Sequence, residues 1–314
     1  MRRCSRLGLA VLLVSSFGAS GAVAEEGGGG RYVPGAAATL IDLPPTDPGF
    51  LMQALYLGFS GEASASAVIP DAGTLTLGLD ATAHAVTLGG VYTFEQQILG
   101  AYYSLGAYVP FVHQEVTASV VGPLGNTMRR TDSVSGLGDI SLIPALLAWK
   151  RGEYQVGFAL PIYAPTGSFE VGRLANQGLN YWTIDPTVSI AYSGATNGFN
   201  AALFAGVTIN SENPATDYRS GSTLHVEASV QQLFPAGPGL FGIGANAFLL
   251  EQITDDSGPG ATLGGFRGRS IGIGPVLDYV LPVGESTAII EARWLPEIET
   301  RNRVAGDYFW VKAV

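Results

Sequence analysis

The sequence predicts an all-β protein, a single transmembrane antiparallel β-barrel with about twelve strands in an up-and-down meander. Three observations predict it. Apolar and polar residues alternate with period two over stretches of roughly 11–18 residues. Short and long connections alternate along the chain, and charged residues make up only 13 % of the 314 residues. A tilted transmembrane strand needs about 9–11 residues, whereas strands of soluble proteins usually have about 5–6.

The N-terminus predicts export. Arg2, Arg3 and Arg6 precede a short apolar run, and Ala22-Val23-Ala24 forms a small-residue cleavage site, so we interpret residues 1–24 as a signal peptide. Residues 25–49 are rich in Gly and Pro without a sustained period, and we interpret them as an irregular N-terminal segment. Residues 50–314 would form the barrel.

Cysteine and charge exclude several classes of site. The only cysteine, Cys4, lies in the signal peptide, so the mature chain has no disulfide, thiolate metal site or cysteine nucleophile. Removing the signal peptide leaves 13 basic and 26 acidic residues, which argues against a nucleic-acid partner. No cofactor and no metal site is expected.

The strand pattern is clear in four stretches: 98–111, 153–163, 224–234 and 270–281. Short turns are predicted near 94–97, 150–152, 194–198, 235–239 and 283–285. Long loops are predicted near 63–74, 118–134, 164–178, 211–221, 252–267 and 298–303. Residues 186–211 contain no charge and could form a transmembrane helix, but the sequence SGATNG interrupts them. A soluble sandwich or a soluble barrel with an apolar interior is the other alternative.

Aromatic residues lie near the predicted strand ends. Trp182 and Tyr192 bracket the apolar face of 182–192, as expected where a lipid-facing strand crosses the two bilayer interfaces. The predicted interface aromatics are Trp149, Tyr154, Tyr163, Trp182, Tyr192, Tyr279, Trp294 and Trp310. Pro144, Pro186 and Pro275 lie inside predicted strands, where a missing donor predicts a bulge or local irregularity.

The opposite faces of the strands predict the lining of the lumen. The candidates along a substrate path are Tyr102, Tyr108, Asp139, Tyr181, Asp185, His225, Glu227, Asn246, Asp278, Glu291 and Arg293. They predict a narrow and mildly acidic lumen, because about eight strands fill their own interior and 16–18 leave an aqueous pore. The Pro-rich stretch 31–49 enters the first strand from the short-turn side, so we expect it to block the lumen in part.

The sequence predicts neither a catalytic site nor a metal site. His225 and Glu227 share an inner face, but a third zinc ligand cannot be placed. Ser229 lies on the same face as His225 and gives a third, less favoured hypothesis of a membrane hydrolase.

Several motifs carry a resemblance to a known family. RYVPG, PPTDPGFLMQALYLGFSG, GLGDISLIPALLAW, APTGSFEVGRLANQGLNYWTIDP and GIGPVLDY resemble the phenol-degradation meta-pathway family of outer-membrane transporter proteins. The resemblance covers nearly all of the mature chain and is most specific over 136–186. It implies a barrel in a Gram-negative outer membrane that passes hydrophobic or aromatic compounds. It carries over no catalytic residue.

The first hypothesis is therefore passive uptake of small hydrophobic or aromatic solutes through an outer-membrane barrel. The barrel would have the lipid bilayer and the outer-membrane assembly machinery as partners. The alternative is a structural or adhesive barrel that transports nothing.

Overall fold

The computed structural model describes Glu26 and residues 30–69, 73–262 and 264–314. The predicted signal peptide, residues 1–24, lies outside the described residues. Among the described residues no helix has the length and the apolar composition needed to span a bilayer. The stretch 186–211, for which a helix was an alternative, forms two antiparallel strands instead.

The regular secondary structure of the described chain is β-strand, preceded by one turn of 3-10 helix at Leu40–Asp42. The strand segments are β1 (Gly49–Ile69), β2 (Gly73–Ile98), β3 (Ala101–Val121), β4 (Thr127–Leu137), β5 (Ser141–Arg151), β6 (Tyr154–Ala159), β7 (Ile162–Tyr163), β8 (Thr183–Ile184), β9 (Thr187–Ser193), β10 (Phe199–Asn210), β11 (Thr223–Ala236), β12 (Gly239–Gln252), β13 (Arg269–Val283), β14 (Ser286–Arg301) and β15 (Ala305–Ala313).

These segments form twelve barrel strands over the described part of the chain, as predicted. β4 with β5, β6 with β7 and β8 with β9 each form one strand with a short interruption, because each pair lies along the same neighbours. Every pairing between neighbours is antiparallel. The barrel closes where Ala54–Glu62 of β1 pairs with Ala305–Ala313 of β15.

Prolines coincide with the irregularities. Pro161 and Pro186 lie in the breaks between β6 and β7 and between β8 and β9, where proline offers no N–H to the ladder. Pro144 lies opposite a register shift in β3. Near Pro275 the pairing of β13 with β14 is interrupted between Gly272 and Val276.

The two ends of the barrel differ. The termini of the barrel and the turns at 99–100, 152–153, 194–198, 237–238 and 284–285 are at one end, which we call the short-turn end. The short connections 122–126 and 302–304 are at the opposite end. The opposite end, the long-loop end, carries the connections 164–182, 211–222 and 253–268. At the outer surface, Val188, Ile190 and Leu203 are among many exposed apolar side chains. Such an apolar outer band is typical of a transmembrane barrel.

Some predicted connections were wrong. The predicted loops at 63–74, 118–134 and 298–303 are mostly strand, because β1, β3 and β14 continue their pairing to residues 69, 121 and 301. The small and polar residues of these stretches suggested loops, but their cross-strand register is unbroken. The turn predicted at 94–97 is a bulge, and the chain reverses at Leu99 and Gly100, which both have positive φ.

Candidate functional site: the lumen and its N-terminal segment

The N-terminal segment, residues 30–48, runs through the lumen against inward-facing side chains. At the long-loop end, the Glu26 backbone N–H donates to Ser220 Oγ over 3.1 Å. At the short-turn end, Gln155 Nε2 donates to the carbonyl of Pro44 over 2.7 Å, and β1 begins at Gly49. The segment therefore follows the barrel axis over most of its length.

A buried acid holds the middle of the segment. Glu227 on β11 accepts hydrogen bonds from Tyr32 Oη over 2.9 Å and from the Gly35 N–H over 2.5 Å. The Tyr32 ring stacks on His225 with the centroids 3.6 Å apart, and His225 Nε2 contacts Asp185 Oδ1 over 2.8 Å. These contacts join the segment to β11 directly and, through His225, to Asp185 between β8 and β9.

Gly35 has a conformation and a position that suit glycine. Its φ is +86°, and an added Cβ would lie 2.5 Å from Trp310 Nε1. Trp310 Nε1 donates to the carbonyl of Pro34 over 2.7 Å. The segment thus lies directly against the last strand of the barrel at this point.

A cluster of charges holds the part of the segment nearer the short-turn end. Asp42 Oδ1 lies 2.5 Å from Lys312 Nζ, and Asp42 Oδ2 lies 3.2 Å from Arg293 Nη2. Burial disfavours the charge of Asp42, but the ammonium of Lys312 and the guanidinium of Arg293 hold the pKa of Asp42 below its usual value. Thr39 Oγ1 donates to Glu291 over 2.6 Å, and Glu291 also pairs with Arg293.

Arg31 holds the part of the segment nearer the long-loop end. Its Nη1 lies 2.7 Å from Asp139 Oδ2, and its Nη2 donates to the carbonyl of Tyr181 over 3.1 Å. The guanidinium also lies 5.3 Å from the ring centroids of both Tyr163 and Tyr181, a distance suited to cation–π contact.

The lumen wall has two different halves. From β8 to β15 its inward side chains include buried acids, amides and the two cations Arg293 and Lys312. Glu227, Glu291 and these two cations contact the segment directly. On β1 to β3 the inward side chains are mostly apolar. Between this apolar wall and the segment lies a cavity of about 870 Å³. Its lining on β1 to β3 includes Leu55, Leu57, Phe59, Leu79, Val112 and Val116.

Most of the predicted lumen residues face inward, but few border the open space. Tyr108, Asp139 and Asp185 line the cavity. Tyr102 has the same parity as Tyr108 but is not among the cavity residues. The others are buried: Tyr181, His225, Glu227, Asn246, Asp278, Glu291 and Arg293. Asn246 donates to Glu227 over 3.1 Å, and Asp278 pairs with Gln231, so both complete the buried polar half.

Sequence reasoning missed the apolar half because it assigned every apolar face to lipid. In 50–59 both faces are apolar: Phe50 and Met52 point outward, whereas Leu55 and Leu57 line the cavity. The weak alternation of apolar and polar residues in this stretch is the sequence feature that indicates an apolar inner face.

Two of the eight predicted interface aromatics were wrong. Tyr163 lines the cavity beneath Arg31, and Trp310 is 7 % exposed and contacts Pro34. Both lie on strands whose inward residues meet the segment, so the segment and not lipid covers their rings. The other six are on the outer surface. Five of them lie near strand ends, namely Trp149, Tyr154, Trp182, Tyr192 and Tyr279, whereas Trp294 lies in the middle of β14.

The hydrolase hypothesis gains no support from the geometry. Ser229 and His225 lie on the same strand face, but His225 Nε2 faces Asp185 and its Nδ1 has no hydrogen-bond partner among the described residues. A serine nucleophile needs its hydroxyl within hydrogen-bond reach of the base.

Comparison with known proteins agrees with this architecture. The model of the family described as "Putative MetA-pathway of phenol degradation" matches residues 64–313. The solved COG4313 outer membrane channel from Pseudomonas putida F1 is 15 % identical, with a TM-score of 0.64 over 90 % of this chain and 98 % of that one. The beta domain of the Bordetella autotransporter BrkA is 12 % identical, with a TM-score of 0.43 over 83 % of this chain and 98 % of that one. No curated protein matches the sequence.

Proposed function

We propose, from the premise that this chain belongs to the family described as "Putative MetA-pathway of phenol degradation", that it is an outer-membrane channel for small hydrophobic or aromatic compounds. The fold, shared with a solved outer membrane channel, supports the location. The signal peptide would export the chain, and the assembly machinery of the outer membrane would insert it. The short turns would then face the periplasm and the long loops the exterior.

One observation supports an uncharged apolar molecule as the solute. The cavity of about 870 Å³ lies beside the N-terminal segment, and its wall on β1 to β3 is mostly apolar. A solute that follows this wall loses water and gains few hydrogen bonds. Uncharged apolar molecules tolerate that exchange, whereas ions and sugars do not. The polar half of the lumen is already engaged by the segment, so it offers few free groups to a polar solute.

The N-terminal segment would regulate the width of this path. It occupies the polar half through Tyr32, Gly35, Thr39 and Asp42, and it leaves the apolar half open. We propose that it is a plug, which restricts the lumen to small solutes that pass without chemical change.

Uptake into vesicles tests the proposal. The protein is reconstituted into vesicles with lipopolysaccharide in the outer leaflet, and the entry of naphthalene and of glucose is compared with that in protein-free vesicles. Faster entry of naphthalene, with unchanged entry of glucose, is expected. Equal naphthalene entry with and without protein would refute transport and favour a structural or adhesive barrel.

A further inference from the structure

The first strands of the barrel extend far beyond what a membrane requires. β1, β2 and β3 have 21, 26 and 21 residues, whereas crossing a bilayer takes about 9–11 tilted residues. The excess lies at the long-loop end, because β1 begins and β2 ends at the short-turn end. The paired strands β1 to β4 therefore rise as a wall above the lipid.

The outer face of this wall shows where it leaves the lipid. Val86 on β2 and Phe111 on β3 are cross-strand partners, and they are 48 % and 55 % exposed. The next outward pair toward the long loops is His84 and His113. Beyond that pair, the outward residues include Asp80. The outer face thus changes from apolar to polar at the two histidines.

The inner face does not change in the same way. At and above the level of the histidines, Phe59, Leu79, Ala81 and Val116 still line the cavity. Higher on the same face Leu77 is 40 % exposed. Above the lipid β1 to β3 thus have a polar outer face and a mostly apolar inner face, on which Gln114 is a polar exception; this is the reverse of the arrangement expected within the membrane.

A long loop bounds the space in front of this face. Phe169, Val171 and Leu174 of the connection 164–182 line the same cavity, together with polar residues of that loop, namely Glu170, Arg173, Asn176 and Gln177. The loop is fixed to β4, because Arg173 Nη2 lies 2.6 Å from Asp132 Oδ1 and Arg130 donates to the carbonyl of Gly172 over 3.0 Å. The apolar face is consequently one side of a bounded pocket.

We propose that this pocket, between the inner face of the raised wall and the loop 164–182, is a collection site for small uncharged apolar solutes at the outer mouth. The volume of about 870 Å³, shared with the lumen below, lies within the range of small-molecule pockets, about 300–1,000 Å³, and excludes a folded partner. Its continuity with the lumen lets a bound solute move inward without returning to water. The inference rests on the proposed function.

The site should set the affinity for solute and not the maximal rate of passage. In the variant Leu79→Asn/Val116→Asn two apolar groups of the pocket become amides. The half-saturating concentration for naphthalene entry is expected to rise at least tenfold with the maximal rate changed less than twofold, because the lumen below is intact. Asp80→Asn, on the outer face beside Leu79, is the matched control and should match the wild type.

A binding measurement separates the two proposals. Naphthalene is equilibrated with the protein in lipid nanodiscs, and binding to empty nanodiscs is subtracted. Wild-type binding that Leu79→Asn/Val116→Asn weakens tenfold supports the site, even if vesicle uptake fails and the channel proposal falls. Uptake and binding that are unchanged in the double variant overturn the site and leave the channel proposal intact. Heat-modifiable gel mobility verifies that each variant folds, and Leu79→Ala/Val116→Ala replaces a variant that does not.

Discussion

The ion pair between Asp42 and Lys312 makes the docking of the N-terminal segment experimentally accessible. Lys312 and Lys150 are the two lysines of the chain. Lys312 is buried in the lumen, whereas Lys150 is exposed near a short turn. We expect Lys312→Met to release the segment more often and Lys150→Met, the matched control, to have no effect on it.

The magnitude follows from the geometry. At 2.5 Å the two charges attract by about 7 kcal/mol for an effective dielectric constant of about 20. The cost of burying both charges offsets part of this attraction, and breaking a buried pair by removing one partner typically costs about 3–5 kcal/mol. Asp42 keeps Arg293 at 3.2 Å, so we take the lower value, about 3 kcal/mol. The undocked population should then rise about 10²-fold.

Trypsin reports that population. Arg31 is the only Arg or Lys between residues 25 and 128, and its side chain is 7 % exposed when the segment is docked. When docking is fast relative to cleavage, the rate of cutting follows the undocked fraction. Mass spectrometry should show about 10²-fold faster cutting after Arg31 in Lys312→Met. Asp42→Asn should accelerate the cutting less in the Lys312→Met background than in the wild type, because Lys312 is then no longer there to pair with Asp42. Equal cutting rates in the wild type, Lys312→Met and Lys150→Met would refute the reasoning.

Three further predictions concern the segment and the loop above it. Gly35→Val should undock the segment, because a positive φ costs a branched residue about 1–2 kcal/mol and the added Cβ would meet Trp310. Faster cutting by trypsin checks this. The control is Gly284→Val, because Gly284 is a turn glycine with φ +61° at which an added Cβ would have no neighbour within 4 Å. Deletion of Gly28–Leu43 should increase bilayer conductance if the segment is a plug, and unchanged conductance would contradict it. Hydrogen bonds from Arg173 hold the pKa of Asp132 well below its usual value. The stabilisation by this contact between Asp132 and Arg173 is therefore complete above about pH 4 and is lost only as pH falls through the lower folded-state pKa. Hydrogen exchange of the loop, corrected for intrinsic rates, should be constant from pH 8 to 5 in the wild type and faster in Asp132→Asn; faster exchange at pH 5 in the wild type would argue against the contact.

The barrel could be predicted from sequence because its signal is local. Period-two alternation, low charge and turn residues act within one strand or one hairpin, and together they predicted twelve closed strands. The exact ends of the hairpins could not be predicted in this way. The stretch GEASASAV contains the residue types of a loop, but it continues β1 because β2 offers it an unbroken ladder. Pairing between strands decides such cases.

The sequence by itself determined the fold class and the parity of each strand, and hence which residues share a face. It placed Asp185, Glu227 and Arg293 together on inward faces without any knowledge of their partners. Only the tertiary structure decided that these groups hold the N-terminal segment, because residues near position 35 meet residues near 230, 290 and 310 across the lumen. It also decided that Leu57 and Val112 face a cavity, since the two sides of an apolar strand differ only in what the closed barrel puts beside them.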